Sequence, residues 1–179
     1  MDTILNISSP ELQPQTITSN TNSIPELLSK QMNIELNNFH TYINFASIAD
    51  ILGYVGASSY LKKQADGELE HFEKFRKYMC DRNYLPMLFQ LPQKSVDNYT
   101  LLDIMTQVYN LECNTTNELT GLKIAVKETN DYVTLDFLDW YMLEQIEEED
   151  TTNTYMQRLK IAGDNSAAIL DMDRELGNL

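Results

Sequence analysis

Cysteine is scarce in this 179-residue chain, and basic residues are outnumbered two to one. Two cysteines, Cys80 and Cys113, are too few for a disulfide framework. They fall on different predicted helices in no metal-binding spacing, so both are expected to be free thiols of a reduced, cytoplasmic chain. Against 27 acidic residues stand 13 Lys and Arg, a formal charge of −14. That charge repels DNA and anionic membranes, and it either attracts cations or serves solubility alone. Long apolar runs are missing too. The longest, around residues 43–60, is interrupted by Asp50, Gly53 and Gly56 and does not read as a membrane span. Residues 1–23 hold no Lys or Arg and no continuous apolar core, so no secretory signal is expected there. At this length a single domain buries roughly 70% of its unfolded surface without disulfide staples.

What the chain does have is helical periodicity. Residues 1–23, rich in Ser, Thr, Asn, Pro and Gln, show none and read as a flexible extension outside one domain spanning 24–179. Ser23 with Glu26 makes a capping-box start, Pro25 is tolerated in the first turn, and a helix is predicted over 24–52, ended by Gly53 and Gly56. A second helix, predicted over 58–82, packs antiparallel to the first across a short turn. Over 83–99 the periodicity disappears, and Pro86 and Pro92 break any helix. Extended, that stretch covers roughly 50 Å, enough to run the length of a helix of roughly 40 Å, so it reads as a crossover. Thr100 with Asp103 opens a third helix that continues to 128, and the turn at 129–131 starts a fourth that ends at Gly163. A fifth, short helix is predicted over 165–176. The fold class is therefore all-α, a four-helix bundle with one long crossover between its second and third helices and a short C-terminal helix.

Each of the four long helices carries an acid on its apolar face. Alternating steps of four and three give Leu28, Met32, Glu35, Phe39, Tyr42, Ala46 and Ala49 on the first helix. On the second they give Leu61, Ala65, Glu68, Phe72, Phe75 and Met79, with His71 beside Glu68 at a spacing of three. The third runs through Leu101, Met105, Val108, Glu112, Thr115, Leu119, Leu122 and Val126, and the fourth through Phe137, Tyr141, Glu144, Glu148, Thr151, Tyr155 and Leu159. Glu35, Glu68, Glu112 and Glu148 fall near the middles of their helices, and midpoints of packed helices share one level. Burying a carboxylate costs on the order of several kcal/mol unless it finds a partner. Four such acids with His71 suit a pair of divalent cations, and an oxygen-rich set with one imidazole fits iron or manganese better than structural zinc. Tyr42 and Tyr141 read as core aromatics whose hydroxyls bond an acid. His40, off the seam, reads as a surface or interface histidine.

With those residues in hand the chain resembles ferritin, most closely the prokaryotic non-haem type, over about residues 27–177. The likeness rests on Gln31-Met32-Asn33-Ile34-Glu35 with Tyr42, on Glu68-x-x-His71, on Tyr109-x-x-Glu112, and on Trp140-Tyr141-x-x-Glu144-Gln145-x-Glu147-Glu148-Glu149. It implies a first iron site of Glu35, Glu68 and His71 and a second of Glu68, Glu112 and Glu148, bridged by Glu68. It further implies that Gln145 stands near the second iron and that Tyr42 bonds the site and supplies an electron. Glu144, Glu147 and Glu148 resemble a nearby third iron site, although Gly67 stands where the family draws another glutamate for it. Leu69 replaces the haem-ligating methionine, and the fourth helix lacks a second Glu-x-x-His, so no haem is expected. No Cys-x-x-Cys marks a rubrerythrin, and no basic tail marks a DNA-binding miniferritin. The implied function is iron storage with ferroxidase activity, in which Fe(II) is oxidised by dioxygen and Fe(III) mineral is laid down inside a homo-oligomeric shell of 24 subunits. The residues also leave open a di-iron oxidoreductase or peroxide scavenger that stores nothing, and a metal-free structural bundle.

Overall fold

The computed structural model describes residues 23–94 and 99–179, and the extension expected over 1–23 lies outside the described residues except for Ser23. Five helices follow in order: α1 (Ile24–Leu52), α2 (Val55–Asp81), α3 (Leu101–Glu128), α4 (Tyr132–Ala162) and α5 (Ser166–Leu176). Local chemistry sets most of their starts. The Ser23 amide donates to Glu26 Oε2 at 2.7 Å, and Thr100 Oγ1 accepts from the Asp103 amide at 3.1 Å while its own amide donates to Asp103 Oδ2 at 2.8 Å. Such a cap is worth about 1 kcal/mol. Asp131 Oδ1 accepts from the Thr134 amide at 3.2 Å at the head of α4, and Arg82 at the end of α2 grips both oxygens of Asp131 at 2.9 and 3.3 Å.

Helix α2 departs from the sequence reading. Gly53 alone ends α1, in the left-handed conformation at φ 87°, and α2 starts three residues earlier than predicted, with Gly56 inside its first turn. The reason is α5. A Cβ on Gly56 would stand 1.8 Å from the Asp173 carbonyl oxygen, so only glycine admits this approach. Asp173 then supplies the missing cap from across the chain, its Oδ1 accepting from the Ala57 amide at 2.7 Å. Arg158 of α4 holds the same short helix through both oxygens of Glu175 at 2.6 and 2.8 Å.

The crossover lies along α1. Asn33 anchors it, donating to the Ser29 carbonyl at 2.7 Å and the Met87 carbonyl at 2.6 Å and accepting from the Phe89 amide at 2.8 Å. Lys94 reaches Asn37 at 2.6 Å, and Tyr99 meets Phe45 edge to face with centroids 5.5 Å apart. Loop residues in rising order thus meet α1 residues in rising order, and the chain is carried to the start of α3 at the far end of the bundle.

Two apolar clusters fill the interior. One is built on Phe45, Leu61, Leu101, Met105, Val108 and Leu159; the other on Leu28, Met32, Phe75, Met79, Leu119 and Leu138. Each fully buried Leu, Phe or Met contributes about 1.5–3 kcal/mol of apolar burial. Between the clusters lies a layer of buried polar groups, and that layer holds the site. Among the described residues no helix is long and apolar enough to cross a membrane.

Candidate metal centre

Helices α1, α2 and α3 bury the acids that their apolar stripes carry. Glu35, Glu68 and Glu112 are 0%, 3% and 0% exposed, and His71 is 5% exposed. Helix α4 corrects the reading at this level. Its buried face runs through Tyr141, Gln145 and Thr152, whereas Glu144 and Glu147 are exposed and Glu148 is half-buried. A step of four from Tyr141 reaches Gln145, whose neutral amide costs less to bury than the carboxylate one position earlier. Glu148 enters the layer from the edge of that face.

Two triads result. Ligand atoms of Glu35, Glu68 and His71 lie within 4.8 Å of one another, as do those of Glu68, Glu112 and Glu148. Glu68 belongs to both. His71 Nδ1 is 3.6 Å from Glu68 Oε2 and 3.9 Å from Glu35 Oε2, while its Nε2 is 3.2 Å from Glu144 Oε2. Glu144 thus touches the edge of the first triad. Glu147 joins neither triad but lines a cavity of about 390 Å³ with Gly67, Glu70, Glu144 and Glu148, and a Cβ on Gly67 would meet nothing within 4 Å.

Neutral donors hold the carboxylates in place. Gln31 Nε2 donates to Glu35 Oε1 at 2.7 Å and the Tyr141 hydroxyl donates to Glu35 Oε2. The Tyr42 hydroxyl donates to Glu112 Oε1, and Gln145 Nε2 reaches Glu112 Oε2 at 2.7 Å and the Glu112 carbonyl at 3.2 Å. Asn38 Nδ2 donates to Glu68 Oε1 at 3.3 Å. Of these, Asn38 went unread in the sequence, although it stands three residues after Glu35 and four before Tyr42, on the same helical face. His40 is half-buried on α1.

The electrostatics are those of a crowded anionic layer. Burial pushes Glu35 up to about 7 against the pull of its donors. Burial and the charge of Glu112 push Glu148 up to about 9. Glu68 rises well above the usual carboxylate range through burial and the charges of Glu112, Glu35 and Glu148, and burial raises Glu112 as well. Burial, with Lys74, holds His71 down at about 4, so its imidazole is neutral and free to ligate.

The donor set fits cations. Glu68 Oε2, His71 Nδ1, Gln145 Oε1 and Glu148 Oε2 are buried yet bond to nothing among the described residues; three belong to the triads and Gln145 is hydrogen-bonded to Glu112 of the second, and all four atoms can offer a lone pair. Buried polar atoms are rarely left so. Two divalent cations sharing Glu68 would satisfy them and replace the protons that burial otherwise forces onto the acids.

A helical bundle with an internal carboxylate and histidine layer of this kind defines a ferritin-like fold. The family model described as a ferritin-like domain matches residues 25–162, and the chain belongs to the ferritin family. It is 28% identical over 154 residues to the bacterial non-heme ferritin of Escherichia coli O157:H7, covering 86% of this chain and 93% of that protein. To the bacterial non-heme ferritin of Staphylococcus aureus NCTC 8325 it is 30% identical over 152 residues, covering 85% and 92%. The open-pore ferritin of the hyperthermophilic archaeon Archaeoglobus fulgidus superposes with a TM-score of 0.84 at 28% identity, covering 89% of this chain and 98% of that one.

Proposed function

We propose that the chain is an iron-storage subunit with ferroxidase activity. The observation that carries this reading is the sharing of the buried Glu68 by two triads. Glu35, Glu68 and His71 take one Fe(II), and Glu68, Glu112 and Glu148 take the other, with Gln145 beside the second. Each Fe(II) gives up one electron, so a bound pair delivers two to dioxygen from one place, and the carboxylates stabilise the Fe(III) that forms. Tyr42, bonded to Glu112, would give a further electron. The exposed Glu144 and Glu147 at the cavity beside the centre suit a third iron on its way to or from the pair, with no acid at Gly67 to help hold it.

Storage requires a container. Leu85, Leu88 and Phe89 on the crossover are exposed, as are Ile51 and Ile161 near helix ends, and neighbouring copies in a 24-subunit shell would cover such apolar positions. The unpaired Cys80 and Cys113 suit a reducing cytoplasm. Aerobic loading of the full chain with Fe(II), followed by sizing and iron analysis, tests this reading. The expected product is a large hollow particle retaining far more than two irons per chain. A small oligomer that oxidises Fe(II) quickly but retains no iron core would instead assign the protein to the di-iron oxidoreductases or peroxide scavengers.

A further inference from the structure

The hydrogen bonds around Glu68 single out a residue that belongs to neither triad. Asn38 of α1 is 1% exposed. Its amide nitrogen is 3.3 Å from Glu68 Oε1 on α2 and 2.9 Å from Thr115 Oγ1 on α3. Thr115 has one hydroxyl hydrogen, and it goes to the Leu111 carbonyl at 3.1 Å. Toward Asn38 it can therefore offer only a lone pair. That fixes the amide, because in the flipped orientation its carbonyl oxygen would face a hydroxyl with no hydrogen left to give and, once Glu68 is ionised to take a cation, a carboxylate as well.

Glu68 Oε1 is thus held by a donor of fixed orientation, while Oε2 has no bonded partner and lies 3.6 Å from His71 Nδ1. The donor's neutrality matters. A Lys or Arg in this place would grip the carboxylate as firmly but would cancel the charge that a cation needs and repel the cation itself. An apolar residue would leave the carboxylate free to turn toward one triad. We infer that Asn38, oriented by Thr115, is a positioning residue that keeps Glu68 in the orientation serving both triads, so that two divalent cations bind as an interacting pair. This rests on the di-metal reading proposed above, and its test separates the two.

Mn(II) is the probe, with stoichiometry followed by equilibrium dialysis, the electron paramagnetic resonance spectrum recorded in parallel, and Fe(II) oxidation measured separately. In the unaltered protein two neighbouring Mn(II) ions should interact magnetically, so that the sharp hyperfine signal of isolated Mn(II) is lost. Loss of an outer partner of a metal ligand typically costs ~10–100-fold in affinity or activity. In Asn38→Leu the second ion should weaken by that factor, the isolated-ion signal should appear, and kcat for Fe(II) oxidation should fall with it. Thr115→Val keeps the side-chain shape but removes the acceptor that orients Asn38, so it should move all three readouts the same way, and Thr115→Ser should restore them. If Asn38→Leu does not fold, the Thr115 pair of variants decides. Unchanged affinity, spectrum and rate in Thr115→Val would overturn the inference while leaving the proposed function standing. Failure of the unaltered protein to bind an interacting pair would overturn both.

Discussion

Glu68→Gln is expected to abolish rapid Fe(II) oxidation while leaving the metal-free fold close to its original stability. Buried among Glu112, Glu35 and Glu148, Glu68 is held well above the usual carboxylate range, so the metal-free protein favours its neutral form. A glutamine matches a protonated glutamate in shape and charge and can still meet Asn38. The substitution therefore removes little from the metal-free state. It does remove the one carboxylate that both triads share, and an amide cannot lose a proton to bridge two cations. The loss in oxidation rate should exceed the ~100-fold upper range seen for outer partners of metal ligands. Two measurements check this: stopped-flow Fe(II) oxidation, and the melting temperature with and without Mn(II). A metal that binds only the folded state raises that temperature, so the rise should vanish in the variant. Oxidation at the original rate would refute the assignment of Glu68.

The second large effect is on stability against pH. For Glu35, raised to about 7, and Glu148, raised to about 9, the folded chain holds protons that the unfolded chain releases above the ordinary glutamate value of 4.5. The sign follows directly. Their contribution is fully present below the unfolded value and is lost as pH rises through the folded one. Glu68 and Glu112 shift in the same direction. His71 opposes them at the acidic end: held down at about 4 from 6.5, it contributes stability above the unfolded value that is lost as pH falls toward 4. One imidazole stands against four acids. The melting temperature of the metal-free protein should therefore fall steadily between about pH 6 and pH 9. Cations take the place of the released protons, so the gap between metal-loaded and metal-free melting temperatures should widen over the same range. Glu68→Gln should flatten the metal-free slope. A metal-free melting temperature that rises toward pH 9 would contradict the electrostatic picture of the layer.

How much was legible in the sequence depended on how local the cause was. Helix α3 follows from Thr100, Asp103 and an unbroken apolar stripe, all within one segment, and its predicted stripe is buried throughout. The start of α2 was not legible because its cap, Asp173, lies 116 residues away from Ala57 and the glycine in its first turn answers to the backbone of α5. A glycine read locally is a helix end; here it is a point of contact. On α4 the sequence offered acids at Glu144, Glu147, Glu148 and Glu149, and stepping by three or four from Tyr141 reaches either Glu144 or Gln145. Only packing against Glu112 selects Gln145 for the interior. Periodicity finds charged residues out of place on an apolar face, so it finds candidate ligands. It passes over Asn38 and the Thr115 hydroxyl, neutral groups whose meaning appears only when three helices meet.

The central claim is that Glu35, Glu68, His71, Glu112 and Glu148 are brought together to hold two cations. Anaerobic titration of the full chain with Fe(II), followed by calorimetry, tests it most directly. Saturation at about two tightly bound ions per chain, with proton release that grows as the pH is lowered toward the range in which the acids are protonated, is the result expected. Binding of one ion or none, with the buried acids still titrating as free carboxyls in the presence of excess Fe(II), would contradict it.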